Sequence, residues 1–188
     1  MKNIFIALLI ATTLSSCLNF AVRALAYPKW KPHYEIQDGQ VFYLCPNAAG
    51  GSRLFVKGAD PQSFEQLSDE WGKDKNSVYY AENKIKQYDA GSFQLLAHGF
   101  VCDKSSIYRN GWKQAGDPGT VIVFSKHFYM DQASVRYTRF WRDEKDNRHS
   151  IQKKIKSETY LRSMGASEAL VNKIRRERSK RGWIPLPR

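Results

Sequence analysis

The 188-residue chain has only three cysteines and four histidines, and none of them falls at a metal-ligand spacing. No Cys-x-x-Cys occurs, and His33, His98, His127 and His149 are scattered, which excludes the familiar zinc patterns. Gly-x-Ser-x-Gly, a glycine-rich phosphate loop and His-Glu-x-x-His are missing too, so nothing assembles a nucleophile, base and orienter. Cys102 follows His98 by four residues, but Gly99 interrupts the helix that such a thiol–imidazole pair would need. Beyond the first dozen residues there is no second long apolar run. With a mean hydropathy of −0.56, this excludes a polytopic membrane protein. Acidic residues are scarce as well, 18 Asp and Glu against 30 Lys and Arg, for a net charge of +12. These absences argue for a protein that is not an enzyme and takes no cofactor and no metal.

The one apolar run lies at the start, where Lys2 precedes Ile4 to Ala11 in the order of a secretory signal. Two ends fit it. Leu14-Ser15-Ser16-Cys17 has the form of a lipobox, with the signal ending at residue 16 and Cys17 lipidated. Ala24-Leu25-Ala26 has the form of an ordinary cleavage site, giving a leader of residues 1–26 and a soluble periplasmic product. The expected address is the bacterial cell envelope, and Leu18 after the cysteine resembles outer-membrane sorting if the cell is Gram-negative. In either case Cys45 and Cys102 remain as a pair, and an oxidising compartment predicts a disulfide between them. Its loop of about 57 residues would contribute about 2–4 kcal/mol, the alternative being two separate buried thiols.

Three stretches then repeat one pattern: Asp60, Phe64, Leu67, Trp71, Asp74, Val78; Asp89, Phe93, Leu96, Phe100, Asp103, Ile107; Asp117, Val121, Phe124, Phe128, Asp131, Val135. A period of about 29 residues means one supersecondary unit copied along the chain, which favours a binding scaffold over a pocket enzyme. Apolar residues four, seven and eleven places after the first Asp predict a short amphipathic helix, with Asp60, Asp89 and Asp117 as N-caps and Pro61 and Pro118 at the first helical position. The runs Val78-Tyr79-Tyr80 and Ile107-Tyr108, and Val135 with Tyr137, have strand composition, and Asn110-Gly111 is a hairpin turn signal. In the third copy Val121-Ile122-Val123-Phe124 competes as a strand. The predicted fold class is therefore α+β: three copies of a short helix plus a β-hairpin over residues 27–144, followed by a basic helical segment over 145–188. Asp74, Asp103 and Asp131 read as turn formers, since a 28- or 29-residue spacing is unlike a compact calcium loop.

At Asp74-Lys75-Asn76-Ser77-Val78-Tyr79-Tyr80 the chain resembles the DKNYY family of bacterial repeat proteins. The Asp-Pro-x-Ser-Phe opening at Asp60 and the Asp-Lys-x-x-Ile-Tyr echo at Asp103 carry the same resemblance. It runs from Asp60 to Tyr137, or from Val41 if Val41-Phe42-Tyr43 is the strand of a partial leading copy. It fades in the third copy, where Gln132 and Ala133 follow Asp131 and Arg136 replaces the first Tyr. The resemblance carries over no catalytic residues and points to an immunity or binding role.

The last quarter departs from the repeat. From Lys145 to Arg188 there are 13 Lys or Arg against 4 Asp or Glu. Residues 150–163 predict a helix ended by Gly165, and Ser167 predicts the cap of a second helix that runs through Leu170, Val171 and Ile174 to Gly182. Arg175, Arg176, Arg178, Lys180, Arg181 and Trp183 form a candidate surface for an anionic partner; the other reading is a solvated helix end whose cations complement the helix dipole. Tyr79, Tyr80 and Tyr108 are candidate contacts on the repeats, the alternative being core packing. The expected partner is an acidic protein, such as a toxin to be neutralised. The alternative is a structural envelope lipoprotein whose tail associates with anionic lipid or polysaccharide. Nucleic acid is disfavoured by an envelope address and by the lack of a recognised binding motif.

Overall fold

A computed structural model describes residues 31–47 and 49–188, which fall into two compact units, 31–87 and 88–188. The expected leader and the lipidation site at Cys17 lie outside the described residues.

The α+β expectation is overturned. Each repeat is a four-stranded antiparallel meander with no α-helix, and the three meanders are preceded by a three-stranded sheet. The apolar spacing that imitated a helix comes from very short strands joined by tight turns. Hydrogen-bond direction decides between the two. In a helix the amide of Trp71 would donate to the carbonyl of Leu67. Here the amide of Leu67 donates to the carbonyl of Trp71 at 2.8 Å, and Leu96 to Phe100 and Phe124 to Phe128 repeat the bond at 2.9 Å. Asp60 is not an N-cap either. Its carboxylate accepts the amide of Gln62 at 3.1 Å and its carbonyl accepts the amide of Ser63 at 3.2 Å, which closes a turn at Pro61-Gln62. Aspartate side chains bonded to nearby amides compete with helix, and an Asp-Pro start suits either structure.

In the unit 31–87, β1 (His33–Gln37), β2 (Gln40–Cys45) and β3 (Ser52–Phe55) form the leading sheet. Asp38-Gly39 makes a two-residue turn with φ of 52° and 70°, the positive values that such hairpins require. The first meander follows: β4 (Glu65–Gln66), β5 (Trp71–Lys73), β6 (Val78–Tyr80) and β7 (Asn83–Ile85). Tyr34, Val41, Tyr43, Val56 and Tyr79 form the shared core, against which Phe64 packs. Gly72 on β5 leaves room for that ring, since a Cβ there would lie 2.4 Å from Phe64 Cζ.

In the unit 88–188, β8 (Gln94–Leu95), β9 (Phe100–Cys102), β10 (Ile107–Arg109) and β11 (Trp112–Gln114) make the second meander, with a turn at Asn110-Gly111 as expected. The third contains β12 (Ile122–Val123), β13 (Phe128–Met130), β14 (Val135–Arg142) and β15 (Arg148–Ile155). The helix expected over 150–163 is thus strand up to Ile155, and only its last part, α1 (Glu158–Ser163), is helical. The second helix is where the sequence placed it: Ser167 caps α2 (Glu168–Lys180) by accepting the Leu170 amide. Leu161, Val171 and Ile174 cover Phe124, Phe128, Met130, Val135 and Ile155, so the two helices seal one face of the third sheet. Among the described residues no helix is long and apolar enough to cross a membrane.

Candidate functional site

The recurring polar residues build one device three times. Asp74, Asp103 and Asp131 are buried, and each accepts the amide of the residue fourteen places earlier: Asp60 at 3.0 Å, Asp89 at 3.2 Å and Asp117 at 3.1 Å. Ser63, Ser92 and Thr120 each donate a hydroxyl to the leading aspartate. The same hydroxyl oxygens accept the amides of Lys75, Lys104 and Gln132. The lysine of the motif reaches back to the leading carboxylate, Lys75 to Asp60 at 3.1 Å and Lys104 to Asp89 at 3.2 Å; Gln132 leaves the third copy without this clamp. Burial works against the charge of Asp74, but the amides of Asp60, Asn76 and Ser77 and the Tyr79 hydroxyl outweigh it and hold the carboxyl below its ordinary range. Asp103 is held low in the same way against burial, by Ser105, Asp89 and Ser106. These carboxylates are fully engaged in fixing turns. Among the described residues no group of three or more His, Cys, Asp or Glu is placed to hold a metal ion.

A model of the DKNYY family matches residues 34–175, three quarters of the chain. The chain belongs to the DKNYY family. The match takes in the leading sheet and most of the helical end as well as the repeats. No curated protein matches the chain, and no solved structure does.

The tyrosines that name the DKNYY motif divide between core and surface. Tyr79 is completely buried, and its hydroxyl lies 2.9 Å from both Gly58 O and Asp74 Oδ2; burial, then the Asp74 bond, push its pKa up to about 12. Tyr108 is also buried, its ring 4.8 Å from that of Tyr88. These two are packing residues. Tyr80 is exposed, donates to Glu70 at 2.8 Å and stands edge-on to Trp71. The expected disulfide is absent, and this is a correction: Cys45 and Cys102 are free thiols. Each is absorbed by a different core. Cys45 packs with Tyr34 and Tyr43, whereas Cys102 is buried with Phe100 and Ile107, and burial raises its pKa.

The basic helix is largely committed to the protein itself. Arg175 makes a two-pronged pair with Glu158, at 2.8 and 2.6 Å, and also reaches Asn172. Arg178 is buried and donates to three carbonyls: Ile184 at 2.7 Å, Asp131 at 3.2 Å and Gln132 at 3.2 Å. It thereby pins α2 to the third Asp turn. Arg181 pairs with Glu177, and Trp183 lies 5.4 Å from Arg181 and 5.7 Å from Arg178. The tail closes back on α1, since the Glu158 amide donates to Pro187 O at 2.8 Å. Of the six sequence candidates here, Arg176 and Lys180 are exposed and make no ion pair among the described residues.

The β14–β15 ribbon escaped the sequence reading. Its register places Arg136 opposite Lys154, Tyr137 opposite Lys153, Trp141 opposite His149 and Arg142 opposite Arg148. Trp141 is 44% exposed and stacks on His149 at 5.4 Å with 17° between the planes. His149 Nε2 in turn lies 2.9 Å from Asp143 Oδ2. Alternation of cations and aromatics on both sides of the Asp143–Asn147 turn was the available signal. It was hidden by the helical reading of residues 150–163.

Proposed function

We propose that this DKNYY protein is a non-enzymatic, exported envelope protein that binds an acidic protein partner, with toxin neutralisation as its physiological use. The observation that carries the reading is the commitment of the recurring carboxylates, with Tyr79 and Tyr108, to the turns and cores of the meanders. What the repeats leave for a partner is sheet surface, which suits macromolecular binding, as in other repeat architectures. Charge supports an acidic partner: residues 88–188 hold 20 Lys and Arg against 10 Asp and Glu. The N-terminal segment supports export, by lipid attachment at Cys17 or by cleavage after Ala26.

The test keeps the chain whole, because cutting after Asp146 would remove β15 and both helices from the third core. The full-length protein and a Cys17→Ser variant are expressed in the native host, the cells are fractionated, and intact envelopes are crosslinked. The expected result is an envelope-associated protein joined one-to-one with a single acidic protein, in a complex that salt weakens. A cytosolic product, or recovery only with anionic lipid or polysaccharide, would overturn the reading. The latter result would leave a structural envelope lipoprotein.

A further inference from the structure

We infer that the exposed stretch of the β14–β15 ribbon centred on Arg139, Trp141 and Lys153 is the docking surface for that acidic protein; the inference rests on the protein-binding reading above. Both faces of the ribbon are anchored at the base. On one, Gln152 accepts the amide of Ala115 at 2.9 Å and donates to Lys113 O at 3.0 Å, and Thr138 is fully buried. On the other, Val135 and Ile155 are buried beneath the helices, and alternation sends Arg139, Trp141, Lys153 and His149 to the same face beyond them, where the first three are exposed.

Two properties of this face point outward. Arg139 and Lys153 form no ion pair among the described residues, whereas Arg175, Arg178 and Arg181 at the end of the chain all have partners inside the fold. Trp141, held flat on His149, is a rigid aromatic anchor of the type that dominates protein interfaces. Lysines on a strand can serve simply to prevent edge-to-edge aggregation, but an exposed tryptophan among them works against that purpose. Arginine, lysine and tryptophan together match an acidic protein surface with an apolar depression at its centre.

The test places a photo-crosslinking amino acid at Trp141 and, separately, at Arg176 in the full chain expressed in its native host. The captured protein is identified and purified, and its affinity is measured by calorimetry for the wild-type chain, Arg139→Glu/Lys153→Glu and Arg176→Glu/Lys180→Glu. Both pairs are exposed, so circular dichroism is expected to show unchanged folding. The inference expects capture at position 141, affinity weakened about 30-fold by the ribbon pair and little by the helix pair, and partial rescue by reversing a crosslinked carboxylate on the partner. Capture at 176 alone, or unchanged affinity for the ribbon variant, would overturn the ribbon assignment while leaving the protein-binding reading in place. No protein captured at either position, with phosphatidylglycerol vesicles or an oligonucleotide bound instead, would overturn both.

Discussion

The second and third meanders start alike and end differently. Both hold a buried aspartate that accepts an amide fourteen residues back, and both bury a β-branched residue, Ile107 or Val135, at the start of the third strand. Three residues later the second meander turns at Asn110-Gly111, with φ of 51° and 79°. The equivalent pair in the third is Thr138-Arg139. A β-branched threonine strongly resists positive φ, so the strand runs on until Asp146 supplies it at 62°. The lesson is that one dipeptide decides whether a meander closes after three residues or extends into an eight-residue ribbon with a new surface. The first meander turns at Ala81-Glu82, with Ala81 at 51°, and sides with the second.

The largest effect should come from the shared device. Asp103→Ala strips acceptors from the Asp89, Ser105 and Ser106 amides and should cost about 3 kcal/mol in urea unfolding. Asp131→Ala should cost at least as much, since Arg178 binds the backbone of the same turn. Arg178→Ala itself should lose about 2–4 kcal/mol, while Arg176→Ala on the open side of α2 should stay within about 0.5 kcal/mol. Transplanting the third turn into the second, Asn110→Thr with Gly111→Arg, should cost about 1–2 kcal/mol, and hydrogen exchange should show loss of protection at Trp112 to Gln114.

A smaller effect separates acid from neutral behaviour. Asp74 and Asp103 have carboxyls held below the ordinary value of about 4, so their contribution is complete above that pH and is lost as pH falls through their lowered folded values. The urea midpoint should be flat from pH 7 to 5 and fall below about pH 4, and Asp103→Asn should flatten that fall. Least of all is expected from oxidation. Cys45 and Cys102 should both titrate as thiols in denaturant, Cys102 reacting far more slowly than Cys45 in the native protein because it is buried. A single disulfide-linked species would contradict the structure.

Much of the architecture was legible because repetition exposes register. The buried strand starts Val78, Ile107 and Val135, the Asn110-Gly111 turn and the helix from Ser167 to Gly182 follow from local chemistry. The helices expected after Asp60, Asp89 and Asp117 failed for a definite reason: N-cap and turn use the same aspartate, the same proline and the same spacing of apolar residues. Only the direction of the bond between Leu67 and Trp71 separates them, and that is not written in residue types. Function was read less well. Arg178 looked free because its carbonyl partners on Asp131 and Gln132 lie 47 and 46 residues away. Tyr79 and Tyr108 looked available because strand composition does not say which face is inward.

Among the described residues the antiparallel ladders join only strands adjacent in the chain. Contacts of such short range keep relative contact order low, and each turn can close without waiting for a distant segment. The meanders should then behave as separate cooperative units in native-state exchange, opening one at a time. Only the third, whose Asp131 turn is tied by Arg178 to a helix some forty residues downstream, must await the end of the chain before it is secure.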